Sequence, residues 1–309
     1  MKKYSIGLFS LMIAFSSTKL QAQTNSDSTK KVDLFADIDN EAKAADANTT
    51  DYATATFKST RIVNGHSIET IGKNNLDFRI SHRFGYLNSG GNNLFGLDQA
   101  TMRIGLDYGV TNRLMVGLGR SNTDKEFDGF VKYKLLRQAT GKNKMPISVT
   151  YLGAMSHYTL KTIEDISFTN RTSFVNQILI ARKFSDAVSF QLSPTWVHIN
   201  MVNLSSEDNN LYSLGMGGRV KISKRVALTA DYFYQINKLE GTKNSFSLGV
   251  DIETGGHVFQ LHFTNSLGMN EKAFITNTTG NWGDGDIHFG FNITRLFTLK
   301  RTPGSRSTL

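Results

Sequence analysis

Cysteine is absent from the 309 residues, and proline occurs only 3 times. Without cysteine there is no disulfide scaffold, thiolate zinc site, cysteine nucleophile or covalently attached haem. Long apolar runs are scarce as well. Past the opening residues no stretch approaches the ~20 apolar residues that a membrane-crossing helix needs. Walker loops, nucleotide fingerprints, His-Glu-x-x-His and nucleophile elbows do not occur. The run Gly215-Met216-Gly217-Gly218 lacks the following helix that phosphate binding requires. What the chain does have is 27 glycines, 11% aromatics and 39% hydrophobic residues, enough to exclude wholesale disorder. A soluble β-rich protein and a membrane β-barrel remain.

The first segment reads as an address. Lys2 and Lys3 precede an apolar stretch, Ile6–Phe15, and Thr18–Ala22 then offers a cleavage site. About ten apolar residues are too few to span ~30 Å of hydrocarbon, so residues 1–22 read as a secretory signal peptide. Residues 23–53 are rich in Asp, Asn, Ala, Ser, Thr and Lys and read as a flexible periplasmic arm. Residues 54–75 carry Phe57, Ile62, Val63, Ile68 and Ile71. They fit either a plug inside a barrel or an extra strand leading into one.

From residue 76 the text alternates. In Leu76–Tyr86 the residues Leu76, Phe78, Ile80, Phe84 and Tyr86 share one face, and Asp77, Arg79, Ser81 and Arg83 share the other. That is the period of a strand with one apolar side. Further segments fall near 101–110, 113–122, 128–138, 146–157, 172–183, 187–198, 211–221, 226–236, 245–253, 257–265 and 285–296. In 172–183 Asn176 and Gln177 spoil either face. Pro146 and Pro194 each delete a ladder donor, which places them near strand ends or at bulges.

Three patterns favour a membrane barrel over a sandwich. The polar faces mix glycine with charged residues, as a crowded lumen requires. Aromatics such as Tyr108, Trp196 and Tyr234 gather near segment ends, where membrane interfaces favour them. Connections alternate in length: 87–100, 158–171, 199–210, 237–244 and 266–284 are long, while 111–112, 184–186, 222–225 and 254–256 are short. One pair breaks the rule, since 123–127 is shorter than 139–145. An even strand number puts both barrel ends on the short-turn, periplasmic side. The expected fold is all-β: a closed antiparallel transmembrane β-barrel of about twelve strands over residues 76–297, with residues 298–309 as a basic tail.

Strand parity nominates the lumen lining: Asp77, Arg79, Arg83, Arg103, Asp107, Lys132, Lys134, Arg219, Asp231, Asp251, His262 and His288. With Lys221 and Asp128 added, seven cations face five acids, a slight preference for anions. On this reading Arg103→Ala leaves the fold intact, whereas Leu106→Arg, on the lipid side, does not. His262 and His288 could ligate a metal or act as a base; two polar lumen residues is the simpler reading. His82 has lipid-facing parity and implies an interface or a bulge. Ser81–His82 and Ser156–His157 are sequence neighbours, so each pair points to opposite faces, the wrong geometry for a nucleophile and its base.

The segments Leu76–Gly85 (LDFRISHRFG), Leu94–Thr111 (LFGLDQATMRIGLDYGVT), Gly129–Arg137 (GFVKYKLLR) and Thr56–Thr70 (TFKSTRIVNGHSIET) resemble a bacterial outer-membrane β-barrel family called domain of unknown function 5777. The resemblance covers roughly residues 54–297 and implies an outer-membrane barrel; it brings no activity or catalytic residue. The expectation is a narrow pore for small solutes in the outer membrane of a Gram-negative bacterium, contacting its lipid. The alternatives are a closed barrel serving as a platform for a periplasmic or surface partner and, more remotely, a barrel lipid hydrolase. No cofactor, metal or nucleic acid is expected; the basic residues Arg295, Lys300, Arg301 and Arg306 read as a periplasmic surface.

Overall fold

The computed structural model describes residues 48–161, 165–202 and 204–299. The expected leader, most of the expected arm and nearly all of the basic tail lie outside the described residues. Among the described residues fourteen strands form: β1 Thr50–Tyr52, β2 Asn75–Tyr86, β3 Ala100–Gly109, β4 Leu114–Ser121, β5 Glu126–Leu136, β6 Ala139–Gly141, β7 Ser148–Tyr158, β8 Thr172–Lys183, β9 Val188–Ile199, β10 Asn210–Lys221, β11 Val226–Gln235, β12 Ser245–Thr254, β13 His257–Thr264 and β14 His288–Thr298. Every strand except β1 and β6 belongs to one closed antiparallel barrel of twelve strands, in which β14 pairs back onto β2. In hydrocarbon an unpaired backbone group costs several kcal/mol, and closure removes the edges that would leave such groups.

The strand ends define two rims. At one, the turns 110–113, 184–187, 222–225 and 255–256 are tight; at the other, 87–99, 159–171, 200–209, 236–244 and 265–287 are longer. The exception has a structural cause. The long turn-end connection between β5 and β7 carries β6, which pairs with β1 outside the barrel, Thr50 opposite Gly141 and Tyr52 opposite Ala139. The extra length captures the chain that enters the barrel from upstream.

Burial follows parity. Along β2 the odd-numbered Asp77, Arg79, Ser81 and Arg83 are buried, and the even-numbered neighbours are partly exposed on the lipid side. His82 is among these outer residues, its ring stacked flat on Phe291 at 4.9 Å. The β2–β14 register slips just beyond it, between His288 opposite Tyr86 and Gly290 opposite Arg83. In β8 Gln177 points inward and donates to Thr195 at 2.9 Å, while Asn176 points outward and accepts from the Tyr151 hydroxyl at 2.5 Å. Each amide has its own partner, which settles the face that the sequence leaves ambiguous.

Pro194 departs from expectation. It lies in the interior of β9, exposed to the lipid side, and no bulge accompanies it. The β8–β9 ladder instead lapses between Gln177 opposite Thr195 and Ile180 opposite Leu192, then resumes in the same register. A proline can sit there because it removes a donor without adding a residue, so the strands stay in phase around the gap. Pro146 precedes β7, as expected.

Candidate functional site

A barrel of about eight strands is filled by its own side chains and one of sixteen leaves an aqueous channel; twelve lies between and leaves room for an insert. Residues 54–75 take that room. They enter at the turn end, double back, and leave at the turn end into β2. Arg61 bridges His66, Ile62 N–H donates to Gly65 at 2.8 Å, and Ser67 N–H donates to Thr60 at 3.0 Å, so the segment is a β-hairpin with its tip at Val63–Asn64. The segment is hydrogen-bonded across its own two legs.

Five of the nominated residues, Arg79, Arg83, Lys132, Arg219 and Asp231, hydrogen-bond to the hairpin. Asp231 on β11 accepts the backbone N–H groups of Val63, Asn64 and Gly65 at 3.1, 2.7 and 2.9 Å. Three donors on one carboxylate oxygen form an anion cradle at the hairpin tip. Arg79 donates to the Ser59 and Thr60 hydroxyls at 2.9 and 2.8 Å, and Arg83 donates to the Asn64 side-chain oxygen Oδ1 at 2.7 Å. Lys132 donates to the backbone oxygens of Thr60 and Glu69, and Arg219 to that of Ala55 at 2.6 Å. Two residues not nominated from the sequence join them: Gln260 donates to Ile62 O, and Gln191 to His66 O at 2.7 Å. On the other flank the contact is apolar. Phe57, Ile62 and Ile68 pack on Leu179 and Ala181, and Ile71 packs with Met115, Phe130 and Leu152.

Glycines in the wall clear the space. A Cβ on Gly109 would overlap the backbone oxygen of Gly72, where the hairpin leaves, and one on Gly119 would overlap the Arg103 guanidinium. Arg103 is clamped instead to Asp128, with Nε donating at 2.8 Å and Nη2 to the second carboxylate oxygen. Asp107 and Asp77 are buried beside this cluster, Asp77 at 3.5 Å from Arg79. Asp251 accepts from Gln260. Lys134, less buried than the others, lies 3.9 Å from Glu69.

The connection 265–287, expected as a free outer loop, folds into the lumen from the loop end. Its helix α1, Glu271–Thr276, is capped by Asn270, whose side chain accepts from Ala273 N–H. Asn270 in turn donates to Glu126 at 2.7 Å. Phe274 packs on Phe233 at 4.7 Å within a cluster that includes Val175, Val197 and Leu211. The inserts meet inside the barrel: Arg61 of the hairpin donates to Glu271 at 2.7 Å, with side-chain exposures of 4% and 3%. His66 lies 3.4 Å from the same carboxylate and edge-on to Phe130 at 4.5 Å. Burial, then the Arg61 charge, holds its pKa well below the ordinary imidazole range, so Arg61 and not His66 neutralises Glu271.

Glu126 and Glu271 change the charge balance. Added to the five acids of the sequence count they make seven against the seven cations outside the hairpin, which removes the expected cation excess. The two candidate histidines are not register partners. His262 stands opposite Gly290 and His288 opposite Thr264, and His288 engages Phe84 O at 2.7 Å. Among the described residues no three His, Asp or Glu side chains are grouped to hold a metal. Ser81 is buried in the lumen while His82 faces outward, so the two are not a nucleophile and base. Open vestibules remain at the two ends: about 330 Å³ at the turn end beside Lys58, Glu69 and Asp77, and about 450 Å³ at the loop end beside Tyr158, Leu239 and Lys272.

A family model described as a membrane bound beta barrel domain (DUF5777) matches residues 57–297. No curated protein matches the chain. Among solved structures, the NanC porin is 11% identical at a TM-score of 0.45, covering 72% of this chain and 98% of its own. The KdgM porin is 8% identical at 0.42, with 72% and 98% covered. An outer membrane channel from Pseudomonas putida F1 is 14% identical at 0.43, with 74% and 97% covered. These are likenesses of barrel form.

Proposed function

Because the chain belongs to the family of membrane-bound beta barrel domains, DUF5777, we propose that it is an outer-membrane route for small solutes which its own hairpin, residues 54–75, keeps shut at rest. The Asp231 cradle at the hairpin tip carries this reading. Most of the grip on the hairpin is side chain to backbone, and water can replace such bonds one for one when the hairpin leaves. The wall it would uncover is charged, so an emptied lumen would hydrate. With cations and acids in balance, the opened route discriminates little by charge.

Conductance of the protein in planar bilayers tests this. The parent should be silent apart from rare events, and deletion of residues 57–70 should give steady conductance with weak ion selectivity. A folded deletion variant that conducts nothing would sink the reading. It would leave the closed platform, which the β1–β6 pair, lying outside the barrel at the turn end, favours. Steady conductance in the parent would show that the hairpin is no stopper.

A further inference from the structure

We propose that the lipid-facing wall between β2 and β8 holds one acyl chain of a glycerophospholipid, with its ester carbonyl at Asn176. A groove of about 720 Å³ crosses this wall. Its course follows the ladder. Leu76, Tyr108, Val116, Val131, Gly153 and Asn176 are successive register partners on β2, β3, β4, β5, β7 and β8. The row above is Leu106, Leu118, Gly129, Met155 and Phe174. The groove runs between these two banks. Five inter-strand steps of about 4.8 Å give it a length of about 24 Å.

Two features make it a site rather than ordinary barrel surface. First, Gly129 and Gly153 lie on neighbouring strands and remove one side chain from each bank. Barrel strands tilt, so a path perpendicular to them climbs through the membrane. It starts at Leu76, the second residue of β2 at the turn end, and ends at Asn176, the fifth residue of β8 counted from the loop end. A slot one side chain wide suits a linear hydrocarbon. The convex wall of another barrel cannot reach its floor, and an unfilled slot forfeits contact along its whole lining.

Second, the upper end carries unspent donors. The Tyr151 hydroxyl lies over Gly153 and donates to Asn176 Oδ1 at 2.5 Å. This occupies the amide's acceptor and leaves its Nδ2 hydrogens facing lipid, with no partner among the described residues. A donor left in hydrocarbon is costly, and a carbonyl, which accepts and does not donate, is its complement. The level is right for an ester. Trp196, the register partner of Asn176, turns its indole N–H to Asn210 at 3.0 Å, as aromatic residues do at the headgroup boundary.

The chain has two tryptophans, so Trp282→Phe leaves Trp196 as sole reporter beside the groove's end. This variant is reconstituted in phosphatidylcholine vesicles containing a small fraction of phosphatidylethanolamine brominated on its acyl chains. Quenching of Trp196 should exceed that of random mixing. Gly129→Leu, which fills the groove from its bank, should abolish the excess, and Asn176→Leu, which leaves the groove open, should reduce it. Native mass spectrometry of the unmutated protein after detergent exchange should show one retained phospholipid, a readout that survives if Gly129→Leu fails to fold. Quenching on the random-mixing line, an excess that persists in Gly129→Leu, or bare protein in the mass spectrum would each overturn the proposal. So would a dimer that Gly129→Leu dissolves, because the occupant would then be a second copy.

Discussion

At the residue scale, Arg103 separates facing inward from being dispensable. Inward parity alone makes Arg103→Ala harmless, but the side chain is bound through two nitrogens to buried Asp128. Removing it leaves an unpaired carboxylate near Glu126 and Glu271, a loss of about 3–5 kcal/mol by the usual cost of breaking a buried pair. Urea unfolding in lipid should show that loss, and the double change Arg103→Ala, Asp128→Ala should recover most of it. Leu106→Arg, on the lipid face of the same strand, should cost about 2–4 kcal/mol if near the midplane. His66 gives a prediction in pH. In the docked hairpin it is held neutral by burial and by the facing charges of Arg61, Lys132, Arg79 and Arg103, with Glu271 alongside. A released His66 protonates near pH 6.5. Docking is therefore unaffected above about pH 7 and weakens as pH falls, by up to about 1.4 kcal/mol per unit until the docked form protonates. Open probability should rise on acidification, and His66→Gln should flatten that rise between about pH 6.5 and 5. An unchanged profile in the variant would assign the effect to other groups.

At the scale of elements, alternation placed all twelve barrel strands to within about three residues, because a wall with lipid on one side writes period two into the sequence. The interior was much less legible. Glu271, Phe274 and Ile275 lie in a connection whose length alone reads as a surface loop; burial of an acid there depends on Arg61, about two hundred positions away. The signal that was available is β8, where Val175, Leu179 and Ala181 are apolar on the inner face as well. A barrel strand that is apolar on both sides is packing on something inside. Likewise, the one anomalous turn length encoded β6. Thr140→Pro should break its pairing with Asp51 and leave the barrel folded. Limited proteolysis should then cut near residues 49–54 faster than in the parent, while the heat-dependent gel shift of the barrel persists. Equal protection would mean that β6 does not hold the upstream chain.

At the scale of the molecule, the rims have opposite characters, and this predicts orientation. Tags in the 204–209 connection, at Ser206, and at exposed Gly283 should be labelled on intact cells, while a tag after Gly255 should not. Labelling at Gly255 alone would invert the topology. Asn277, although exposed, follows directly on the buried α1 and is a poor tag site for that reason.

The hairpin enters and leaves by one rim, and the 265–287 connection enters and leaves by the other. Topologically neither is threaded: each is a bight, and no chain end has to pass through the cylinder for either to come out. On the proposed reading the molecule is a tube with an insert from each rim, and the two inserts are coupled through the ion pair of Arg61 with Glu271. On that reading withdrawal of the hairpin opens the route and withdrawal of the 265–287 connection widens it, and each can be drawn by a signal from its own side of the membrane. Severing the contact with Glu271→Gln should make the two openings statistically independent, visible as sublevels whose joint frequency equals the product of their separate frequencies.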